Sequence, residues 1–130
     1  MVSGLQVSSA VRAGCCVLTV AGEVDLVRSR VLEVALLRHT GVGMPLVLDL
    51  GGVEFMDSAG FYVVVRTNHE FRKTGQRLIV VPSHVVMGLI EVAGVRHVLA
   101  LRESVDEALT ALGATTADTA EPQASGTSGP

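Results

Sequence analysis

The chain has 130 residues, a formal net charge of −3, 48% hydrophobic residues and a mean hydropathy of +0.49, which suits one domain with a single core and leaves little room for a second. Its longest apolar runs, such as residues 61–65, stop far short of the roughly 20 residues that cross a bilayer, so membrane insertion is excluded. Lys and Arg are scattered apart from a modest group at Arg66, Arg72, Lys73 and Arg77, and without a concentrated basic footprint direct nucleic-acid binding is excluded too.

The opening MVSGLQVSSA holds neither a basic nor a long apolar segment, so no secretory leader is read there and the cytoplasm is the expected compartment. LQVSSAVR and CCVLTVAG are short, valine-rich and separated by Ala13-Gly14, a hairpin signal. Cys15 and Cys16 are neighbours, and neighbours in a strand point to opposite faces, so they read as reduced packing residues. GEVDLVRSRVLEVALLRHTG predicts an amphipathic helix that starts at Asp25, carries Val27, Val31, Val34 and Ala35 on one face and stops at Gly41. PLVLDLGGVEFM is almost continuously apolar, as a strand buried on both faces is. Residues 61–65 have strand propensity, yet a cap signal before them, the polar run RTNHEFRKT after them and Gly75 as a stop predict a helix over Ser58 to Thr74.

QRLIVVP predicts a further buried strand. SHVVMGLIEVAG predicts a helix capped by Ser83, with Val86, Met87 and Ile90 in the core and Gly94 as the stop. HVLAL reads as a short strand, and ESVDEALTAL as a last helix, with Ser104 and Glu107 at capping-box spacing. The order gives an α/β fold, a mixed sheet of about five strands with about four helices packed against it, over residues 1–112. From residue 113 onward GATTADTAEPQASGTSGP has almost nothing to bury and is expected to be a disordered tail.

The chemistry is sparse. No GxxxxGK[ST] loop occurs, and GVGMPL lacks the lysine that such phosphate cradles use. MDSAGF approaches the G-x-S-x-G elbow, but an acid stands where the elbow needs glycine, so a hydrolase built on Ser58 has no local support. His39, His69, His84 and His97 show no metal-ligand spacing. No cofactor is called for, and the chain reads as a non-enzyme. What remains are two acidic strand-to-helix loops, GEVD and MDSAG, which at the carboxyl ends of neighbouring strands would share one edge.

The run LVLDLGGVEFMDSAGFYVVV, after AGEVD and before VVMGLIEVAG, resembles the STAS domain, and among its members the free-standing bacterial anti-sigma factor antagonists. The resemblance covers about Leu5 to Leu112 and implies a STAS-like fold and partner switching. It implies that the unphosphorylated chain binds an anti-sigma factor that is a serine kinase, so that the sigma factor is freed for transcription. It also implies that the kinase phosphorylates Ser58 to break the complex, and that a phosphoserine phosphatase resets it. Glu23, Asp25, Asp57, Ser58, Ala59, Gly60, Phe61 and Tyr62 would then form the partner-binding surface. Ala59 stands where many relatives have a second hydroxyl, and Phe61 and Tyr62 where many have leucine and a small residue. On the residues alone Asp57 or Ser58 is also a helix cap, Glu23 and Asp25 are also solvated loop acids, and Phe61 or Tyr62 is also core. The other function weighed is a STAS ligand-binding or scaffold subunit of a transporter or larger signalling assembly.

Overall fold

The computed structural model describes residues 4–113, so the expected tail lies, apart from Gly113, outside the described residues. β1 (Leu5–Arg12) and β2 (Cys15–Val24) pair antiparallel. Ala13 and Gly14 turn the chain between them with φ of 52° and 78°, both left-handed, as a two-residue hairpin turn of the primed type requires. Then come α1 (Ser29–Leu37), β3 (Leu46–Met56), α2 (Ser58–Thr74), β4 (Leu78–Pro82), α3 (His84–Ala93) and α4 (Val105–Ala111). The sheet order is β1-β2-β3-β4, with β2, β3 and β4 parallel.

The buried strand run is explained by cover on both faces. On one face Leu18, Val20, Leu46, Leu48 and Leu50 pack with Leu32 and Leu36 of α1, Val64 and Phe71 of α2, and Val86 and Ile90 of α3. On the other, Cys15, Val17, Val47, Ile79 and Val81 meet Ala108 and Leu109 of α4. Cys15 and Cys16 are both free and serve opposite faces, Cys15 in the α4 layer and Cys16 beside Met44, with its Sγ 3.4 Å from Met44 Sδ.

Two expectations need correcting. HVLAL does not make a fifth strand: residues 95–98 form a turn, with Val98 N–H donating to Val95 O, and only Leu101 then bridges to Val80. Too few extended residues remain before Ser104 caps α4. The start and the buried face of α1 also differ. Asp25 Oδ1 accepts the N–H of Arg28 and its carbonyl accepts that of Ser29, closing a separate turn, so α1 begins at Ser29. Its buried residues are Ser29, Leu32 and Leu36, whereas Val27, Val31 and Val34 are 76%, 52% and 48% exposed and Ala35 is half-buried. The valine and leucine stripes lie on different arcs of one short helix, and the sheet takes the larger leucines because they remove more apolar area from water. Gly41 is left-handed but lies beyond the helix end at Leu37.

The remaining stops and caps form as read. Gly75 and Gly94 are left-handed C-caps with φ of 75° and 71°, Ser83 Oγ accepts the N–H of Val86, and Ser104 Oγ accepts that of Glu107. Glu107 Oε1 reaches back to Glu103 N–H, one residue earlier than the usual box.

A clamp with no sequence signature holds the loop before β3. The buried amide of Gln76 accepts from Gly41 N–H at 3.0 Å and donates through Nε2 to His39 O and Met44 O, each at 2.8 Å. Gln76→Leu keeps the bulk but leaves these groups without a partner. Since an unsatisfied buried polar group costs about 1–3 kcal/mol, the variant is expected to lose about 2–3 kcal/mol in urea unfolding with an unchanged m value. A loss below about 0.5 kcal/mol, the ordinary surface range, would show that water replaces the clamp.

Candidate functional site

Parallel pairing of β2 and β3 brings Val24 opposite Met56 and ends both strands at one edge of the sheet. The chain then turns into α2 under three constraints. Asp57 N–H donates to Val24 O at 3.1 Å, which fixes the turn to β2. Asp57 itself is extended, with φ −96° and ψ −174°, as an N-cap residue is, and its Oδ1 accepts from Ala59 N–H at 3.0 Å and Gly60 N–H at 3.1 Å. Gly60 is buried, and a Cβ there would lie 2.6 Å from Val24 Cγ1 and 3.0 Å from Val24 O. Only glycine lets the first turn of the helix lie this close to the strand end.

This division of labour settles which of the polar pair is the cap: it is Asp57. Ser58 is the first residue of α2 and is exposed, its hydroxyl at the surface and outside the capping bonds. Ala59 and Asp57 are half-buried. Phe61 is half-buried and packs against the main core, while Tyr62 is 63% exposed. The bulky pair thus divides, one ring inward and one outward.

Glu23 and Asp25 flank Val24 and so stand on the same edge. Glu23 is half-buried, its N–H donates to Gly4 O, and it lies opposite Phe55 after a register shift in the ladder. Asp25 is tied to Arg28, whose backbone N–H and guanidinium it accepts at 2.9 Å and 2.7 Å. The Arg28 N–H, with the guanidinium beside it, holds this carboxyl below the usual aspartate range. Its charge is therefore offset locally, unlike that of a bare loop acid.

Sequence periodicity missed two residues of this edge. Leu26 and Val27, in the turn after Asp25, are 69% and 76% exposed, so the segments that leave β2 and β3 here carry uncovered aliphatic side chains as well as the exposed ring of Tyr62. The missing signal was the turn itself: an acid accepting from a backbone N–H three residues on makes a turn of its own and pushes the helix start downstream. The adjacent cysteines offer little chemistry, since burial raises the Cys15 thiol above its ordinary pKa. Among the described residues, no group of three or more His, Cys, Asp or Glu is placed to hold a metal, and no helix is long and apolar enough to cross a membrane.

The STAS domain family model matches residues 6–108. Among solved structures, an anti-sigma factor antagonist from Mycobacterium paratuberculosis is 28% identical, with a TM-score of 0.76 over 85% of this chain and 95% of that one. The Bacillus cell fate determinant SpoIIAA in its phosphorylated form shares 19% identity, with a TM-score of 0.63 over 84% of this chain and 99% of its own. The murine Solute Carrier 26 family member A9 anion transporter is 21% identical, with a TM-score of 0.67 over 78% of this chain but 18% of the transporter. No curated protein matches in sequence.

The junction gives a prediction with a built-in control. Glycine to alanine inside a helix ordinarily stabilises by about 1 kcal/mol. Gly88 of α3 is exposed and nothing lies within 4 Å of the Cβ it lacks, so Gly88→Ala is expected to raise stability by about 0.5–1 kcal/mol. Gly60→Ala is expected to lower it by about 1–3 kcal/mol, because the new methyl overpacks against Val24. Thermal melts of both variants check the opposite signs, and a stabilised Gly60→Ala would mean that the junction is loose.

Proposed function

Since the chain belongs to the STAS domain family, we propose that it is an anti-sigma factor antagonist that binds an anti-sigma factor serine kinase and is released when that kinase phosphorylates Ser58. The observation that carries this reading is the exposed Ser58 side chain one residue beyond an aspartate cap. A kinase reaches such a hydroxyl without unfolding anything. The likeness to free-standing antagonists over nearly their whole length supports the same reading. The chain acts as a regulator rather than as an enzyme, ATP is the kinase's substrate, and a phosphoserine phosphatase restores the binding form in the cytoplasm.

The physical effect of the modification falls on the complex. Asp57 already accepts from Ala59 and Gly60, so a phosphate on Ser58 displaces no capping bond. The positive end of α2 also favours an anion there. The partner, by contrast, meets about −1.5 to −2 of new charge beside Asp57, on the edge that carries Glu23. Two like charges about 4 Å apart at an effective dielectric of about 20 repel by about 4 kcal/mol, and each 1.4 kcal/mol is about tenfold in affinity. Even half of that opens a complex held by the modest apolar area of Leu26, Val27 and Tyr62.

The alternative, a scaffold or ligand-binding subunit of a transporter assembly, rests on the likeness to the murine anion transporter, which at 21% identity speaks to the fold. Purified chain incubated with each serine-kinase anti-sigma factor of its source cell and Mg-ATP separates the two. The expected result is one phosphate, mapped to Ser58. Ser58→Asp is expected to bind the kinase at least tenfold more weakly by surface plasmon resonance at an almost unchanged melting temperature, and Ser58→Ala to bind and never be released. Phosphate on another residue, or wild-type affinity of Ser58→Asp, would remove the switch, and the absence of any kinase complex would favour the scaffold.

A further inference from the structure

At the other end of α2 from Ser58, a groove of about 550 Å³ runs between the helix C-terminus, the entry to β4 and the segment that bridges to Val80. Arg72, Arg77, His97 and Arg102 line it, and no Asp or Glu among the described residues does, although the chain carries a net charge of −3. We propose that this groove binds a small phosphorylated molecule, whose phosphate or diphosphate group is held by the three guanidiniums.

A cation in the last turn of a helix complements its dipole, and that accounts for Arg72. It does not account for the others. Arg77 precedes β4, and Arg102 comes from the connection between α3 and α4, so three stretches of chain bring an arginine to one hollow. Two of the guanidiniums are tied to uncharged carbonyls, Arg77 Nη2 donating to Ala111 O at 3.1 Å and Arg102 Nη1 to Leu101 O at 2.7 Å, while Arg102 also borders a neighbouring hollow lined by Glu103 and Glu107. The ion pairs among the described residues engage Arg12, Arg28, Arg66, Lys73 and Arg96, and none of the three. Three cationic side chains lining one hollow with no acid in its lining favour an anion there, and a polyanion more than a single charge. Arginine forks match phosphate oxygens in pairs, which selects phosphate over a spherical anion.

A buried amide adds a neutral contact. Asn68 lines the groove at 6% exposure and spends one donor on Val98 O at 3.0 Å, which leaves its carbonyl oxygen and its second N–H for an occupant. Gln76, also in the lining, has both donors and its acceptor engaged by the loop before β3. The volume lies within the roughly 300–1,000 Å³ of small-ligand sites. At about 1.5 Å per residue, Asn68 and Arg72, which line the groove, stand about 15 Å and about 21 Å along α2 from Ser58. An occupant therefore leaves the surface around Ser58 free, and the site stands whether or not the phosphorylation switch does.

Isothermal titration of the full chain with inorganic pyrophosphate, with ADP and with sulfate tests the site. One-site binding of pyrophosphate is expected, with sulfate at least tenfold weaker. An Arg72→Gln, Arg77→Gln double variant is expected to lose at least tenfold in pyrophosphate affinity, while Ser58→Asp binds as wild type. Arg72→Gln alone, which breaks no hydrogen bond among the described residues, serves if the double variant melts early, and is expected to lose at least threefold. Tighter binding of ADP than of pyrophosphate would identify a nucleotide as the source of the phosphate, and equal binding a simpler phosphate ester or diphosphate. Absence of pyrophosphate binding, sulfate binding of equal strength, or undiminished binding by the arginine variants would overturn the proposal.

Discussion

The structure turns on the contact between Asp57 N–H and the carbonyl of Val24, with Gly60 pressed against the same residue. Parallel strands carry no hairpin to hold their ends together, so the last rungs of β2 and β3 depend on the segments that leave them. Here the capping residue of α2 is bonded sideways to the neighbouring strand as well as forward to its own helix. The sheet edge, the helix start and the acidic loops therefore become one rigid unit. A side chain placed on that unit, as Ser58 is, inherits a fixed position from bonds in which it takes no part.

The opposite end of the fold is secured by a different device. The loop before β3 has no regular structure of its own, and its backbone groups take internal partners from a side chain. Gln76 supplies them from the far side of the sheet entry, and Asn68 does the same for Val98 from inside α2. One buried amide, Asn68, thus fastens an irregular segment to the helix that also carries Ser58, and the other, Gln76, does so from just past that helix's Gly75 cap. The bridge at Leu101 continues this logic, giving Val80 backbone partners on the open side of β4 with one residue rather than a strand. Among the described residues, β1 has no such partner on its outer edge.

How much of this was legible in the sequence depends on the range of the interactions involved. Ser83, Ser104, Gly75 and Gly94 act within one turn, so their spacing alone marks them, and the ends of α2, α3 and α4 fall close to where the residues say. Residues 46–50 of β3 and the strand β4 are legible because burial on both faces forces a continuous apolar run, whereas residues 51, 52, 54 and 55 of β3 are exposed and the apolar run overstates their burial. The buried face of α1 was not, since Val27, Val31 and Val34 make as regular a stripe as Leu32 and Leu36, and only the sheet beneath chooses between them. Gln76 and Asn68 looked like ordinary polar residues, because their partners lie 30 to 37 positions away and nothing local announces them. At the candidate site the loop residues were found and their roles were not: Asp57 as cap, Phe61 inward and Tyr62 outward are decided by packing against Val24 and the core.

A modification that acts on an interface must satisfy two demands that usually conflict, a hydroxyl free enough for an enzyme to reach and a backbone stiff enough that added charge is felt by the partner instead of being absorbed by local rearrangement. At the start of α2 the demands are met by different residues. Asp57 and Gly60 provide the stiffness through bonds and contacts that exclude Ser58, and under the proposed function Ser58 would provide the reach, being exposed and outside those capping bonds. A serine that served as its own cap would couple the two, and its phosphorylation would loosen the helix along with the complex. Because the capping atom and the serine hydroxyl sit on adjacent residues, a charge placed on Ser58, as the proposed function requires, would change what the surface repels and break none of the capping bonds of the first turn.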